Sequence, residues 1–221
     1  MLPALHQSPY FLRVLSMVRF PRVLDIGERI VLAALFAYMV WTFVLAWMGG
    51  ASIVIAILLL SESVVLVFVL LRRFTDDVSF RPADWGLALV GSAAPLMVQP
   101  TGTNSNAALM AFCAMLMLAG LMIQLAAKLT LRRSFGAVAA NRGVKVGGPY
   151  RVVRHPMYAG YLMTHIGFFL TNPSAWNALA YGVCCIAQIG RILAEERLLT
   201  VDSKYRDFAA RVRYRLIPGL F

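Results

Sequence analysis

Residues able to do chemistry are concentrated at two places in the last third of the chain, each beside an apolar segment. The first is Arg154-His155-Pro156, directly before the apolar run that begins at Met157. The residue before a proline is kept extended and proline suits the first turn of a helix, so His155 should stand at a helix start. The free N–H groups of such a start favour an anion, for example a carboxylate or a phosphate.

The second place is the segment from Arg191 to Arg197, where another apolar run ends. Arg191 and Glu195 are four residues apart and therefore lie on one face of a helix. Ionisable residues at this depth are costly unless they are paired or face a water-filled cavity. Basic and aromatic residues thus stand where the chain enters the membrane, and acidic residues stand where it leaves again. Because the two places face each other across one hairpin, they predict a polar pocket at the membrane edge. The less favoured alternative for Arg191 and Glu195 is a surface ion pair that closes the helix.

The composition indicates what holds these residues. The chain of 221 residues is 60% hydrophobic and only 14% charged, unlike soluble globular proteins. Its formal net charge of +11 suggests nucleic acid, but nucleic-acid binders do not carry several apolar stretches of bilayer-spanning length. We therefore expect an integral membrane protein that contacts the lipid bilayer and binds no nucleic acid. No metal is expected, because Cys113, Cys184 and Cys185 lie inside apolar runs without ligand spacing.

Apolar runs predict four membrane spans and a helical hairpin. The spans are Arg29 to Met48, Ala51 to Leu71, the shorter Ala83 to Val98, and Ala107 to Leu131. The region from Met157 to Leu193 is too long for one helix and contains a turn signal at residues 171–174. We predict an all-α, polytopic transmembrane bundle with five to six membrane segments and a C-terminal hairpin.

The distribution of charge predicts the orientation in the membrane. The turns at residues 49–52, 99–106 and 170–176 contain no charged residue. Because Lys and Arg collect in cytoplasmic loops, both termini and the pocket should be cytoplasmic. We expect one multi-pass domain, 1–221, in a prokaryotic cytoplasmic membrane, with N-terminal helices in 1–127 and the connector, hairpin and tail in 128–221.

The region from Lys128 to Phe221 resembles the isoprenylcysteine carboxyl methyltransferase and phospholipid methyltransferase superfamily of integral membrane enzymes. The motifs that carry this resemblance are Gly148-Pro149-Tyr150, Arg154 to Gly160, Asn172-Pro173, Arg191 with Glu195-Glu196, and Tyr205, Phe208, Arg211-Val212 and Ile217-Pro218 in the tail. Their combined order and intervals are specific, whereas Arg-His-Pro alone is a weak signal. The first four spans match only in being hydrophobic.

The resemblance implies a methyltransferase whose cofactor is S-adenosyl-L-methionine, bound in a cytoplasmic pocket. The implied cofactor-binding residues are Arg142, Gly143, Val144, Lys145, Tyr150, His155, Pro156, Met157, Tyr158 and Glu195. Arg191 matches the position that meets the methyl acceptor, and Arg154 is expected to bind substrate as well. Arg191 and Glu196 are the predicted catalytic residues. The composition of residues 142–145 departs from that of the animal enzymes.

The residue types suit methyl transfer without the analogy. A carboxylate acceptor is already ionised near neutral pH and needs no general base, whereas an amine acceptor must lose a proton, for which Glu196 or His155 is the candidate. An arginine can clamp a carboxylate bidentately. Arg191 favours a carboxylate acceptor, and together with the resemblance this predicts O-methylation of an isoprenylcysteine or a similar lipid-like acceptor. A phospholipid ethanolamine N-methyltransferase is the alternative, and an NADPH-dependent membrane reductase is less favoured.

Two ionisable residues inside predicted spans stay without a role. Glu62 lies in the middle of the second span, where it is either functional or a protonated carboxyl bonded to a neighbouring helix. His165 has no partner at a useful spacing and is more typical of a buried, hydrogen-bonded histidine. The tail from Lys204 to Arg215 is typical of an amphipathic segment on anionic lipid, and it is placed to cover the pocket.

Overall fold

The chain is all-α, as predicted. The computed structural model describes residues 9–49, 53–71, 79, 81–101, 106–131 and 144–221, and within these ranges it contains no strand. The helices are α1 (Pro9–Met48), α2 (Ile53–Leu71), α3 (Pro82–Ala93), α4 (Ala107–Leu131), α5 (Pro156–Thr171), α6 (Ala175–Leu199) and α7 (Ser203–Arg211). Short 3₁₀ turns follow α3 at Ala94–Met97 and precede α5 at Gly148–Arg151.

Four of these helices have the length and apolar composition to cross a membrane. They are the Arg29–Met48 part of α1, together with α2, α4 and α6. By contrast, α3 has 12 residues and α5 has 16. At 1.5 Å per residue they rise about 18 and 24 Å, less than the roughly 30 Å of a hydrocarbon core. The protein is therefore an integral membrane protein in which two short helices pack among four long ones.

The predicted break in the last apolar region separates α5 from α6. The Ser174 hydroxyl caps α6 by accepting a hydrogen bond of 3.0 Å from the Asn177 N–H. The buried Asn177 amide donates to the carbonyl oxygens of Gln99 and Asn172, both at 2.8 Å. The hairpin turn is thus bonded to the segment that follows α3.

Glycines allow α4 and α5 to approach closely. A Cβ atom added at Gly120 would lie 2.6 Å from the carbonyl oxygen of Gly160, and one at Gly167 would lie 2.5 Å from Met117 Cγ. Small residues at such contacts let helix backbones pack without a gap, the usual device of membrane helix pairs. This contact fixes the short helix α5 along α4.

A buried polar seam joins α4 to its neighbours. The Gln124 amide donates to Thr164 Oγ1 at 3.1 Å and to Ser61 Oγ at 3.2 Å. Lys128, one turn further on, is fully buried, with Nζ 3.4 Å from Gln124 Oε1 and 5.1 Å from the centre of the Tyr161 ring. Each buried polar group in the seam therefore has a partner from another helix or from the next turn.

On the other side of the molecule, α3 packs along α6. A Cβ at Gly190 would lie 2.9 Å from Leu87 Cδ1, so the two helices are in close contact. Where α3 begins and α6 ends, Arg197 Nη2 donates to Asp84 Oδ2 at 2.7 Å, and Ser79 Oγ donates to the same oxygen at 2.5 Å. As a result, α6 is held along its length, and its last turns have a fixed position.

Candidate active site

The connector, which is the segment between α4 and α5, reaches the start of α5 through a tight turn beside the end of α4. Gly148 has φ +55°, in the left-handed region that favours glycine, and a Cβ there would lie 2.9 Å from Thr130 Oγ1. His155 then precedes α5 with φ −128°, and Pro156 occupies its first turn, as predicted. Tyr150, His155 and Tyr158 are all buried. Burial and the nearby Glu195 charge raise the pKa of Tyr150, which keeps its hydroxyl protonated.

The start of α5 faces the end of α6 through Glu195. The Tyr158 hydroxyl donates a short hydrogen bond to Glu195 Oε1. His155 Nδ1 lies 3.6 Å from Glu195 Oε2, and the side chain of Glu195 is 20% exposed. The structure therefore brings together the three residues His155, Tyr158 and Glu195, with one carboxylate oxygen left to accept further hydrogen bonds.

The neighbouring Glu196 is more fully engaged. Its Oε2 accepts a hydrogen bond of 2.7 Å from Arg215 Nε. Its Oε1 lies 3.1 Å from Arg154 Nε, 3.3 Å from His155 Nε2, and accepts from the Tyr205 hydroxyl at 3.3 Å. Burial and the Glu196 charge raise the pKa of Tyr205, so this hydroxyl stays a donor. We call Arg154, His155, Glu195, Glu196 and Arg215 the rim cluster.

The C-terminal tail completes the rim cluster by backbone pairing. The N–H of Arg154 donates to the Tyr214 carbonyl at 2.9 Å, and the N–H of His155 donates to the Arg215 carbonyl at 2.8 Å. The Arg215 guanidinium also lies 5.2 Å from the centre of the Phe221 ring. The tail thus lies over the start of α5, the position from which it can cover a pocket.

Arg191 lies one turn before Glu195 on α6. It is 6% exposed, its Nη1 donates to Gln188 Oε1 at 3.2 Å, and its guanidinium lies 5.3 Å from the Tyr158 ring centre. A Cβ at Gly91 would lie 3.2 Å from Arg191 Cδ, so α3 closes this side. Tyr158 therefore contacts both Arg191 and Glu195, whereas Arg154 contacts Glu196.

A cavity of about 350 Å³ runs between α5, α6 and the end of the tail. We call it the groove, and its lining is mostly apolar: Tyr158, Tyr161, Leu162, His165, Ile166, Phe169, Tyr181, Cys184, Cys185, Gln188, Ile189, Ile192, Leu216, Ile217 and Phe221. Its size and apolar lining are those of a small-molecule site. Tyr158, which is bonded to Glu195, is part of its lining. Sequence reasoning missed the groove because apolar residues facing a cavity and apolar residues facing lipid look the same in a sequence.

A second, much smaller cavity of about 20 Å³ lies between α2, α3, α5 and α6. We call it the chamber; its polar lining residues are Glu62, Ser92, Tyr161, His165, Gln188 and Arg191. Glu62 Oε1 lies 3.9 Å from His165 Nε2 across it. The partner of His165 therefore comes from another helix, which spacing within one segment could not reveal.

Four of the predicted cofactor-binding residues, Arg142 to Lys145, lie before the turn at Gly148. Arg142 and Gly143 lie outside the described residues. Val144 packs against the apolar core and Lys145 is exposed. Pro156 and Met157 are buried in the first turn of α5. Within the described ranges, no group of three or more His, Cys, Asp or Glu side chains could hold a metal ion.

Comparison with known families supports the resemblance. Residues 104–205 match the model of the phospholipid methyltransferase family. The match runs from just before α4 to the start of α7 and so includes most of the rim cluster and the groove. No curated protein matches the chain significantly. Over this segment the chain is similar to phospholipid methyltransferases, in line with the resemblance of its motifs.

Proposed function

We propose that this protein transfers the methyl group of S-adenosyl-L-methionine to the carboxylate of an isoprenylcysteine or a similar lipid-like acceptor. One observation carries the proposal: the polar site formed by the start of α5 and Glu195 adjoins an apolar groove through Tyr158, which belongs to both. A polar cofactor and an apolar acceptor need such adjoining surfaces. The family match at residues 104–205 supports the reaction class.

The residues at the start of α5 suit the cofactor chemically. Its ribose hydroxyls and ammonium group are hydrogen-bond donors, and Glu195 retains an acceptor oxygen toward His155. Tyr150, Met157 and Tyr158 supply buried apolar and aromatic surface around it. We assign Glu195, His155 and Tyr158 as the principal cofactor-binding residues. The charge pattern of the loops favours cofactor entry from the cytoplasm, with both termini on that side.

The acceptor would place its chain in the groove and its carboxylate beside Tyr158. Of the two predicted substrate-binding arginines, Arg154 is held by Glu196 at 3.1 Å. Arg191 contacts Tyr158 and lies next to the groove residues Gln188 and Ile192, so it is the stronger candidate to bind the carboxylate. When bound, the cofactor supplies an electrophilic methyl group on sulfur. A carboxylate oxygen gains the methyl, sulfur keeps the electron pair of the broken bond, and no proton is transferred.

A phospholipid amine is the second candidate acceptor, favoured by the description of the matching family. An amine must be deprotonated before it attacks. Both oxygens of Glu196 are engaged by side chains of the rim cluster and by Tyr205, which favours an anchoring role for Glu196. His155 is then the better candidate to take the proton. Assays with prenylcysteine and phosphatidylethanolamine, each in matched vesicles, separate the two acceptors.

The test is calorimetric binding of S-adenosylhomocysteine to the detergent-purified protein. We expect micromolar or tighter binding that Glu195→Ala weakens by about a hundredfold, roughly 3 kcal/mol, because hydrogen bonds to charged groups contribute about 1.5–3 kcal/mol each. Asp207→Ala, which removes an exposed carboxylate from α7, is the matched control and should bind as the wild type does. If the well-folded wild type binds no S-adenosylhomocysteine, the proposed function is wrong.

A further inference from the structure

The chamber is built as a polar site although it lies among membrane helices. Its volume of about 20 Å³ exceeds the roughly 10–15 Å³ that one water molecule needs. Side chains from four helices line it, and Glu62, His165, Gln188 and Arg191 among them provide both hydrogen-bond donors and acceptors. A bridging water in this space therefore finds enough polar partners to be stable.

Glu62 is the residue of the chamber that most needs an explanation. It is 5% exposed and stands near the middle of α2. A carboxylate at this depth is stable only beside positive charge or hydrogen-bond donors. His165 Nε2 lies 3.9 Å from it, too far for a direct hydrogen bond. The other cationic side chain that lines the chamber is Arg191.

Arg191 connects the chamber to the site at the membrane edge. Its guanidinium is oriented by Gln188, whose own amide donates to the Gly91 carbonyl at 3.2 Å. On the other side it lies over the Tyr158 ring, and the Tyr158 hydroxyl is bonded to Glu195. A continuous set of contacts therefore runs from the chamber to the proposed cofactor residue Glu195.

We infer that Glu62 is a positioning residue, which orients the Arg191 guanidinium toward the methyl acceptor through one water molecule in the chamber. This inference rests on the proposed function of Arg191. It places a determinant of the reaction in α2, outside the 104–205 segment that matches the family. The N-terminal spans would then shape the site rather than serve only as an anchor.

The test compares Glu62→Gln with Ser63→Ala. Ser63 is the matched control, because its hydroxyl bonds the Leu59 carbonyl of its own helix at 2.6 Å. Turnover is normalised to the number of S-adenosylhomocysteine sites, so that misfolded protein does not count. We expect Glu62→Gln to lower kcat about tenfold without raising the acceptor KM, since a small misplacement of a positioning group has an effect of this size. The S-adenosylhomocysteine Kd should stay within about twofold of wild type.

The decisive arm is a double-mutant cycle with Arg191→Gln. If Glu62 acts through Arg191, adding Glu62→Gln to Arg191→Gln lowers kcat by less than about twofold further. Independent, multiplicative losses overturn the inference, and so does an unchanged kcat in Glu62→Gln.

Failure of the proposed function is recognised separately, by a wild type that neither binds S-adenosylhomocysteine nor transfers methyl groups. In that case the same cycle is measured by thermal unfolding in detergent. Additive shifts of Tm would then mean that Glu62 and Arg191 do not interact, so the inference fails as well. Non-additive shifts would mean that the two residues interact, and only the role of Arg191 toward a methyl acceptor is abandoned.

Discussion

The rim cluster and the chamber hold their carboxylates in different ways. At the membrane edge, Glu196 is surrounded by two arginines, a histidine and a tyrosine, all within 3.3 Å. In the middle of α2, Glu62 lies 3.9 Å from His165 and shares a water-sized space with Arg191. Near water, several charges can gather because solvent screens them, whereas within the bilayer each charge needs its own compensation. The first arrangement anchors a chain segment; the second can orient a single side chain.

The difference also separates two kinds of arginine. Arg215 and Arg154 belong to the rim cluster and are bound to a carboxylate of their own protein. Arg191 instead donates to an amide oxygen and lies against an aromatic ring. Under the proposed function, Arg191 binds the methyl acceptor and Arg154 anchors the chain.

The largest effect on turnover is expected at Arg191. Arg191→Ala should lower turnover by about thirtyfold, roughly 2 kcal/mol, because a charged hydrogen-bond partner of the acceptor is lost. S-adenosylhomocysteine binding should change by less than about threefold, since Tyr158 and Glu195 remain. Single-turnover kinetics beside calorimetry provide both numbers. Equal losses in binding and turnover would place Arg191 in the cofactor site instead.

A smaller effect, on stability, is expected at the rim cluster. Glu196→Gln should lower the free energy of unfolding by roughly 1–2 kcal/mol, because Arg154 and Arg215 lose their shared carboxylate; the partial exposure of Arg215 reduces the effect. The tail should become more sensitive to protease, since Arg215 anchors it. Thermal unfolding and limited proteolysis measure these changes. A variant with wild-type stability and a protected tail, but no turnover, would make Glu196 a catalytic residue.

The smallest effect is expected where α3 meets the end of α6. Arg197→Ala removes an ion pair with Asp84 in which the arginine side chain is 42% exposed, so the loss should not exceed about 1 kcal/mol. Turnover should be unchanged, because this pair lies outside the rim cluster and the chamber. Unfolding in low and high salt is the measurement. A large loss of turnover would mean that the position of α3 controls the site.

Local features of the site were predictable from sequence, and contacts between helices were not. The non-helical His155, the start of α5 at Pro156 and the break at residues 171–174 follow from proline and turn rules that act within a few residues, although with ψ 59° His155 is not extended as predicted. The pairing of Glu62 with His165 and of Glu196 with Arg215 depends on packing between separate elements. The third predicted span is a 12-residue helix with a 3₁₀ turn, because apolar composition does not fix helix length.

The backbone pairing of Tyr214 and Arg215 with the segment before α5 sets an order for biosynthesis. These residues leave the ribosome after all the membrane helices, so the long spans and the hairpin can insert before the tail exists. Only when the tail folds back do the N–H groups of Arg154 and His155 gain their acceptors. A chain whose translation stops within α7 would therefore contain every membrane helix and still lack a finished pocket.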